Sequence, residues 1–267
     1  MQKFNYHTHT YRCGHADDSM TDEDFVKEFI NKGFKTMAFT DHCPEKVKID
    51  HRQNMRMDYS EKDEYLNSVK ELKKIYKDII NIDSGYEVEY LPGQEENIFE
   101  LKNEVDKIVL GQHFIYSEDN KTLRIFRHHP FKDSDLIKYA NYIKTAIEKS
   151  IPDIVVHPDL YMLSRNEFGK TEEEVAKIIC SASEKYNIPL EINLTEAFKC
   201  LSGLGRKITY PCKQFWEIAS NYDIKVLYGI DAHYKEQIRD YEDCIKLVNE
   251  IIGEETINKL NFIENID

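Results

Sequence analysis

Short apolar runs alternate with longer amphipathic stretches along the whole chain. The runs Phe4 to His7, Thr36 to Thr40, Ile79 to Tyr86, Ile108 to Ile115, Ile154 to His157, Leu190 to Asn193 and Lys225 to Ile230 read as strands. Between them, apolar residues at helical spacing predict helices over Thr21 to Lys32, Glu61 to Lys77, Asp133 to Lys149, Glu172 to Tyr186, Pro211 to Asn221 and Lys235 to Ile252. Thr21 with Asp24, and Thr171 with Glu174, resemble paired helix N-terminal caps, and Gly33 stands where a helix C-terminus favours glycine. Seven strands in regular alternation with helices imply a parallel sheet, and at 267 residues a single-domain α/β barrel is its economical closure. The rival, an open doubly wound sheet, usually carries a glycine-rich phosphate loop. The ten glycines here form neither GxGxxG nor GxxxxGK[ST].

The polar residues that interrupt this pattern gather at the strand ends. His7 and His9 close the first strand, two residues apart and so on one side of an extended segment. His15 follows in the next loop, and His42 ends the second strand. Glu87 and Glu89 close the third, His113 the fourth, His157 the fifth, and Asp231 with His233 the seventh. In a parallel barrel the C-terminal strand ends converge on one rim, where active sites are built. Several neutral imidazoles facing one pocket without a metal would leave nitrogens unpaired at a real desolvation cost. About nine donors exceed what one ion uses, so two or three divalent ions are implied, and mixed N and O donors suit zinc, iron or manganese. Glu87 is suited to bridge two ions, in the manner of two-metal hydrolysis. His51, His128 and His129 sit in charged or loop-like stretches and read as surface residues.

Composition narrows the partners. Apolar residues make up 41% of the chain, enough for a sizeable core, and the net charge of −13 argues against sequence-independent nucleic-acid binding. No apolar signal core opens the chain and no stretch is long enough to span a bilayer, so neither a membrane nor export is expected, and the cytoplasm is. The six cysteines, at 13, 43, 180, 200, 212 and 244, form no CxxC pair and read as reduced thiols.

The motifs HTHT, CGHA, TDH, GYEVEY, GQH, VVHPD and GIDAH, in this order from His7 to His233, resemble the PHP (polymerase and histidinol phosphatase) superfamily, and more closely its stand-alone histidinol-phosphatase branch. The resemblance implies a distorted (β/α)7 TIM-like barrel. It implies a first metal held by His7, His9, Glu87 and Asp231, a second sharing Glu87 with His113 and His157, and a third held by His15, His42 and His233. Glu89 would then stand behind the ligands. Arg165 and Arg206 resemble positions that grip phosphate, with Arg127 and Lys199 as weaker candidates. The implied reaction is hydrolysis of a small phosphate monoester, L-histidinol phosphate, by a metal-bridging hydroxide, with Asp17, Asp159 or a water protonating the leaving oxygen. Other phosphomonoesters or nucleotides, an amidohydrolase reaction at a C–N bond, and a metal-binding regulatory module without turnover are the alternatives. At three places the chain departs from the family: Gln112 before His113, Ile230 before Asp231, and Leu194-Thr195-Glu196 after Asn193.

Overall fold

The computed structural model describes residues 1–46, 55–117, 122–124 and 131–264; His51, Arg127, His128 and His129 lie outside the described residues. The strands are β1 Phe4–Asn5, β2 Thr36–His42, β3 Asn81–Val88, β4 Lys107–Leu110, β5 Phe114–Tyr116, β6 Thr122–Arg124, β7 Ile154–Val155, β8 Leu190–Asn193, β9 Lys225–Gly229 and β10 Asn261–Phe262. The helices are α1 Asp22–Asn31, α2 Lys62–Ile75, α3 Glu95–Lys102, α4 Asp133–Glu148, α5 Lys170–Tyr186, α6 Thr195–Leu201, α7 Lys213–Ala219, α8 Lys235–Arg239, α9 Tyr241–Ile252 and α10 Glu254–Ile257.

Eight strands form a parallel sheet in the order β1-β2-β3-β4-β7-β8-β9-β10, while β5 and β6 make a separate hairpin. The sheet curls into a distorted barrel that closes only at its C-terminal end. There Thr8 bridges Ala232, with His9 N donating to Ala232 O at 2.9 Å and Ala232 N to His7 O at 3.2 Å. Lower down, β10 pairs with the first residues of β9, and the Gln2 side chain exchanges hydrogen bonds with the Tyr228 backbone. The backbone pairing that closes the barrel therefore lies beside the strand ends that carry the candidate ligands.

Inside the barrel, Phe4, Ala38, Val109, Ile154 and Leu227 form a buried apolar plug, and a larger core separates the sheet from the helices. Ala38 and His42 are four residues apart on β2 and so share a face, apolar below and ligating above. Thr21 and Asp24 do form the reciprocal cap of α1, and Gly33 takes φ +74° just past its end.

Several boundaries differ from those predicted. The run Ile108 to Ile115 breaks at Leu110, because Gly111 to His113 leave the sheet before the hairpin begins. The helix expected over Lys235 to Ile252 divides at Asp240. The cap of α5 is not Thr171 with Glu174: the helix starts at Lys170, and Glu172 accepts from Gly169 N at 2.8 Å. The short helices α3, α6 and α10 and the strand β10 have too few periodic positions to announce themselves. Among the described residues, no helix is long and apolar enough to cross a membrane.

Candidate metal centre

Residues more than 220 positions apart in sequence meet in the barrel mouth. Glu87, at the end of β3, is the hub. Its Oε1 faces His157 Nε2 at 3.0 Å and both His7 Nε2 and His113 Nε2 at 3.7 Å. Its Oε2 faces His42 Nδ1 at 2.8 Å and His9 Nε2 at 3.6 Å. Asp231 Oδ1 lies 3.1 Å from His9 Nε2 and 3.4 Å from both His7 Nε2 and His233 Nδ1. His233 Nε2 in turn meets His15 Nε2 at 2.9 Å. All nine residues named as candidate ligands are thus brought together. Two of them, His157 (φ 33°) and Asp231 (φ 52°), hold left-handed backbone conformations that non-glycine residues rarely adopt. Such strain persists only where the surrounding structure over-determines it, as functional sites do.

Behind the cluster stands a set of residues that aim the rings. His7 Nδ1 meets Glu191 Oε2 at 2.9 Å, and His113 Nδ1 meets Glu89 Oε1 at 2.7 Å. His15 Nδ1 meets Cys13 O at 3.0 Å and His233 Nδ1 meets Asp231 O at 2.9 Å, while His9 Nδ1 faces Asp41 Oδ1 at 3.5 Å. A partner on Nδ1 holds the tautomer whose Nε2 lone pair points inward. Sequence reasoning missed Glu191 and Asp41. The signal for Glu191 was a carboxylate inside the buried run Leu190 to Asn193, where an uncompensated charge is costly. Two glycines make room for these carboxylates: a Cβ on Gly111 would fall 1.7 Å from Glu87 Oε1, and one on Gly229 would fall 2.0 Å from Glu191 Oε2.

Charge is distributed unevenly over the imidazoles. Burial favours the neutral form of His7, but Glu191 and Asp231 outweigh it and hold its pKa well above the ordinary value. At His9 burial is likewise overcome, by Asp231, Asp41 and Glu87, and the pKa rises to about 9. Burial prevails at His42, His15 and His233, reinforced by the charge on His9, and all three are lowered. Burial alone would raise Glu87 and Asp231, yet the surrounding imidazoles keep both well below the usual carboxylate range. The carboxylates therefore demand cations at this place.

Divalent ions fit that demand. His7 Nε2 and both ring nitrogens of His9 are buried without a hydrogen-bond partner, which is costly unless something else is bound there. Donor atoms of His7, His9 and Glu87, of His7, His157 and Asp231, and of His9, His42 and His233 lie within 4.8 Å of one another. Imidazole and carboxylate donors of this kind bind divalent transition metals.

The cluster floors a cavity of about 800 Å³ walled by Leu160, Leu163, Phe198, Leu204 and Tyr210. The cations expected to grip phosphate are placed differently from that reading. Arg165 donates to Phe131 O and Asp133 Oδ1 at 2.8 Å each and pairs with buried Glu172, so it ties α4 to α5 and does not line the cavity. Arg206 is exposed beyond α6. Lys199, the weaker candidate, does line the cavity, 3.0 Å from Glu196. Neither expected proton donor lines it. Asp17 accepts from Ser19 N and Oγ in a turn, and Asp159 is buried, accepting from Cys212 N and Trp216 Nε1. Burial raises the Asp159 pKa to about 7. Replacing Lys199 with methionine is expected to raise KM for p-nitrophenyl phosphate roughly tenfold with kcat little changed. Steady-state kinetics read this directly, and an unchanged KM would remove Lys199 from phosphate binding.

Fold and site together define an α/β-barrel protein with a histidine–carboxylate divalent-metal centre in its C-terminal mouth. The PHP domain family model matches residues 5–195, and the chain belongs to that family. It is similar to a Schizosaccharomyces pombe protein named as a probable histidinol-phosphatase, at 25% identity over 87% of this chain and 81% of that one. The fold is shared with HisK of Listeria monocytogenes, at a TM-score of 0.75 and 24% identity, over 90% of this chain and 99% of that chain. It is shared also with the histidinol phosphate phosphatase of Lactococcus lactis, solved with zinc, L-histidinol and phosphate (TM-score 0.67, 17% identity, 92% and 94% coverage).

Proposed function

We propose that this PHP-family phosphoesterase hydrolyses L-histidinol phosphate to L-histidinol and inorganic phosphate, the phosphatase step in making histidine. The observation that carries the reading is the polarity of one cavity. Its floor is the histidine–carboxylate cluster and its wall is apolar with Lys199 alongside, while Glu236 and Asp240 add carboxylates to the lining. A small phosphomonoester whose leaving group carries positive charge complements all three zones. The Lactococcus lactis enzyme, solved with L-histidinol and phosphate, the two products of that hydrolysis, supports the same choice.

Within this reading His7, His9, Glu87 and Asp231 hold one ion, Glu87 with His113 and His157 a second, and His15, His42 and His233 a third. Bound divalent ions there supply Lewis acidity toward water and phosphoryl oxygens at neutral pH. Glu191, Asp41 and Glu89 keep the rings in their ligating tautomers. Lys199 orients the phosphate, and Glu236 and Asp240 hold the cationic end so that the ester oxygen points away from the floor. Leu160, Phe198 and Tyr210 exclude bulk water, which strengthens every charge interaction inside.

The metal-loaded protein is expected to prefer histidinol phosphate over sugar phosphates, nucleotides and phosphoserine by at least about tenfold in kcat/KM, or about 1.4 kcal/mol of transition-state discrimination. A flat profile across such a panel removes the substrate assignment and leaves the reaction class standing. Release of no phosphate from any ester, with turnover of an amide or a deaminated base, would favour a C–N hydrolase instead. No turnover at all would favour a regulatory module.

A further inference from the structure

We infer that Arg12 is a positioning residue for His9, acting through Thr10 and Asp41; the inference rests on His9 being a metal ligand, as proposed above. Arg12 is only 6% exposed although it carries a fixed charge. Its Nε and Nη2 donate to the two carboxylate oxygens of Glu64 on α2, at 2.8 Å each, and Nη1 donates to Asp22 at the start of α1, also at 2.8 Å. That guanidinium clamps both helices to the loop carrying the HTHT motif.

The consequence for the site follows from counting hydrogens on Thr10. Its Oγ1 accepts from Arg12 N at 3.3 Å and from Arg12 Nη1 at 3.2 Å, which fills both lone pairs. The one hydroxyl hydrogen is left to donate, and it goes to Asp41 Oδ2. The Thr10 amide donates to the same oxygen at 3.2 Å, and the His42 amide donates to Asp41 Oδ1 at 3.0 Å. Asp41 therefore receives hydrogens from three groups and holds a carboxylate oxygen 3.5 Å from His9 Nδ1, an ion-pair approach and not a formed hydrogen bond. Negative charge on that side favours the His9 hydrogen on Nδ1 and leaves the Nε2 lone pair turned toward Glu87 and Asp231. Without the Arg12 guanidinium, Thr10 Oγ1 keeps only the backbone donor of residue 12, and the hydroxyl that donates to Asp41 is held less firmly.

The test is the rate at which the zinc-loaded protein surrenders metal to a chromogenic chelator. Arg12→Met and Thr10→Val are each expected to weaken metal retention roughly ten- to hundredfold, with the double variant no worse than either single one. Arg12→Lys should recover part of the loss. Val248→Ala, a core truncation in α9, should lower the melting temperature without touching metal release. Should Arg12→Met fail to fold, Thr10→Val and Arg12→Lys carry the comparison. The inference is overturned if the Arg12 and Thr10 variants release metal at the wild-type rate, or if their effects simply add. A wild-type protein that takes up no metal would instead overturn the metal-centre reading, and this inference with it.

Discussion

Gly111→Ala is expected to abolish turnover while the barrel stays folded. A methyl group at that position would sit 1.7 Å from Glu87 Oε1 and 2.9 Å from its Cγ, so the carboxylate must swing out of the cluster. Glu87 faces five imidazole nitrogens at once, and no neighbouring carboxylate can replace it at that hub. Alanine is otherwise tolerable here, because Gly111 has no positive φ and lies beyond the end of β4. The loss should exceed about 10³ in kcat/KM, or about 4 kcal/mol of transition-state stabilisation. Metal content by elemental analysis should fall in parallel, with the circular dichroism spectrum unchanged. Full metal content and activity in this variant would mean that Glu87 is not a ligand. Gly229→Ala should act one layer further out, by displacing Glu191 from His7, and its effect should be correspondingly smaller.

Stripping the metals should extinguish activity and soften the fold together. Glu87, Asp231, Glu191 and Asp41 are all buried against the imidazoles of His7 and His9, and protons on those two rings are a poor substitute for divalent charge. Ions that bind only the folded state stabilise it by mass action, by about 4 kcal/mol at a free concentration a thousandfold above Kd. At roughly 2–4 °C per kcal/mol for a chain near this size, the chelated protein should melt on the order of 10 °C lower. Restoring zinc or manganese should return both the melting point and phosphate release. If chelation leaves activity intact, the metal-dependent reading is wrong. If it removes activity and leaves the melting point unmoved, the ions bind too weakly to matter for stability.

Much of this protein was legible along the chain. The unbroken apolar run inside Thr36 to Thr40 reflects burial on both faces and the helical period in Asp133 to Lys149 burial of one, and burial is a local property that sequence carries directly. The strand-end positions of His7, His42, Glu87, His113 and Asp231 follow from where such runs stop, because in a parallel barrel every strand ends at one rim. The resemblance to the PHP family supplied the grouping of ligands, which periodicity alone left open.

What only the tertiary structure decided depends on direction and on distant partners. Arg165 looked free to bind phosphate, yet Glu172 and Asp133 claim it, and neither pairing can be read from spacing. Lys199 reaches the cavity because α6 follows β8 immediately, a helix too short to show a period. Glu191 and Asp41 become orienting groups only when the curled sheet brings β8 and β2 round to the histidines that follow β1. Gly111 and Gly229 look like ordinary strand-end glycines until carboxylates from β3 and β8 fill the space beside them. Sequence thus determined which residues are buried and which end of the barrel they reach. The meeting of side chains across the mouth was left to packing, since hydrogen-bond geometry depends on ångström-scale placement that a one-dimensional pattern does not contain.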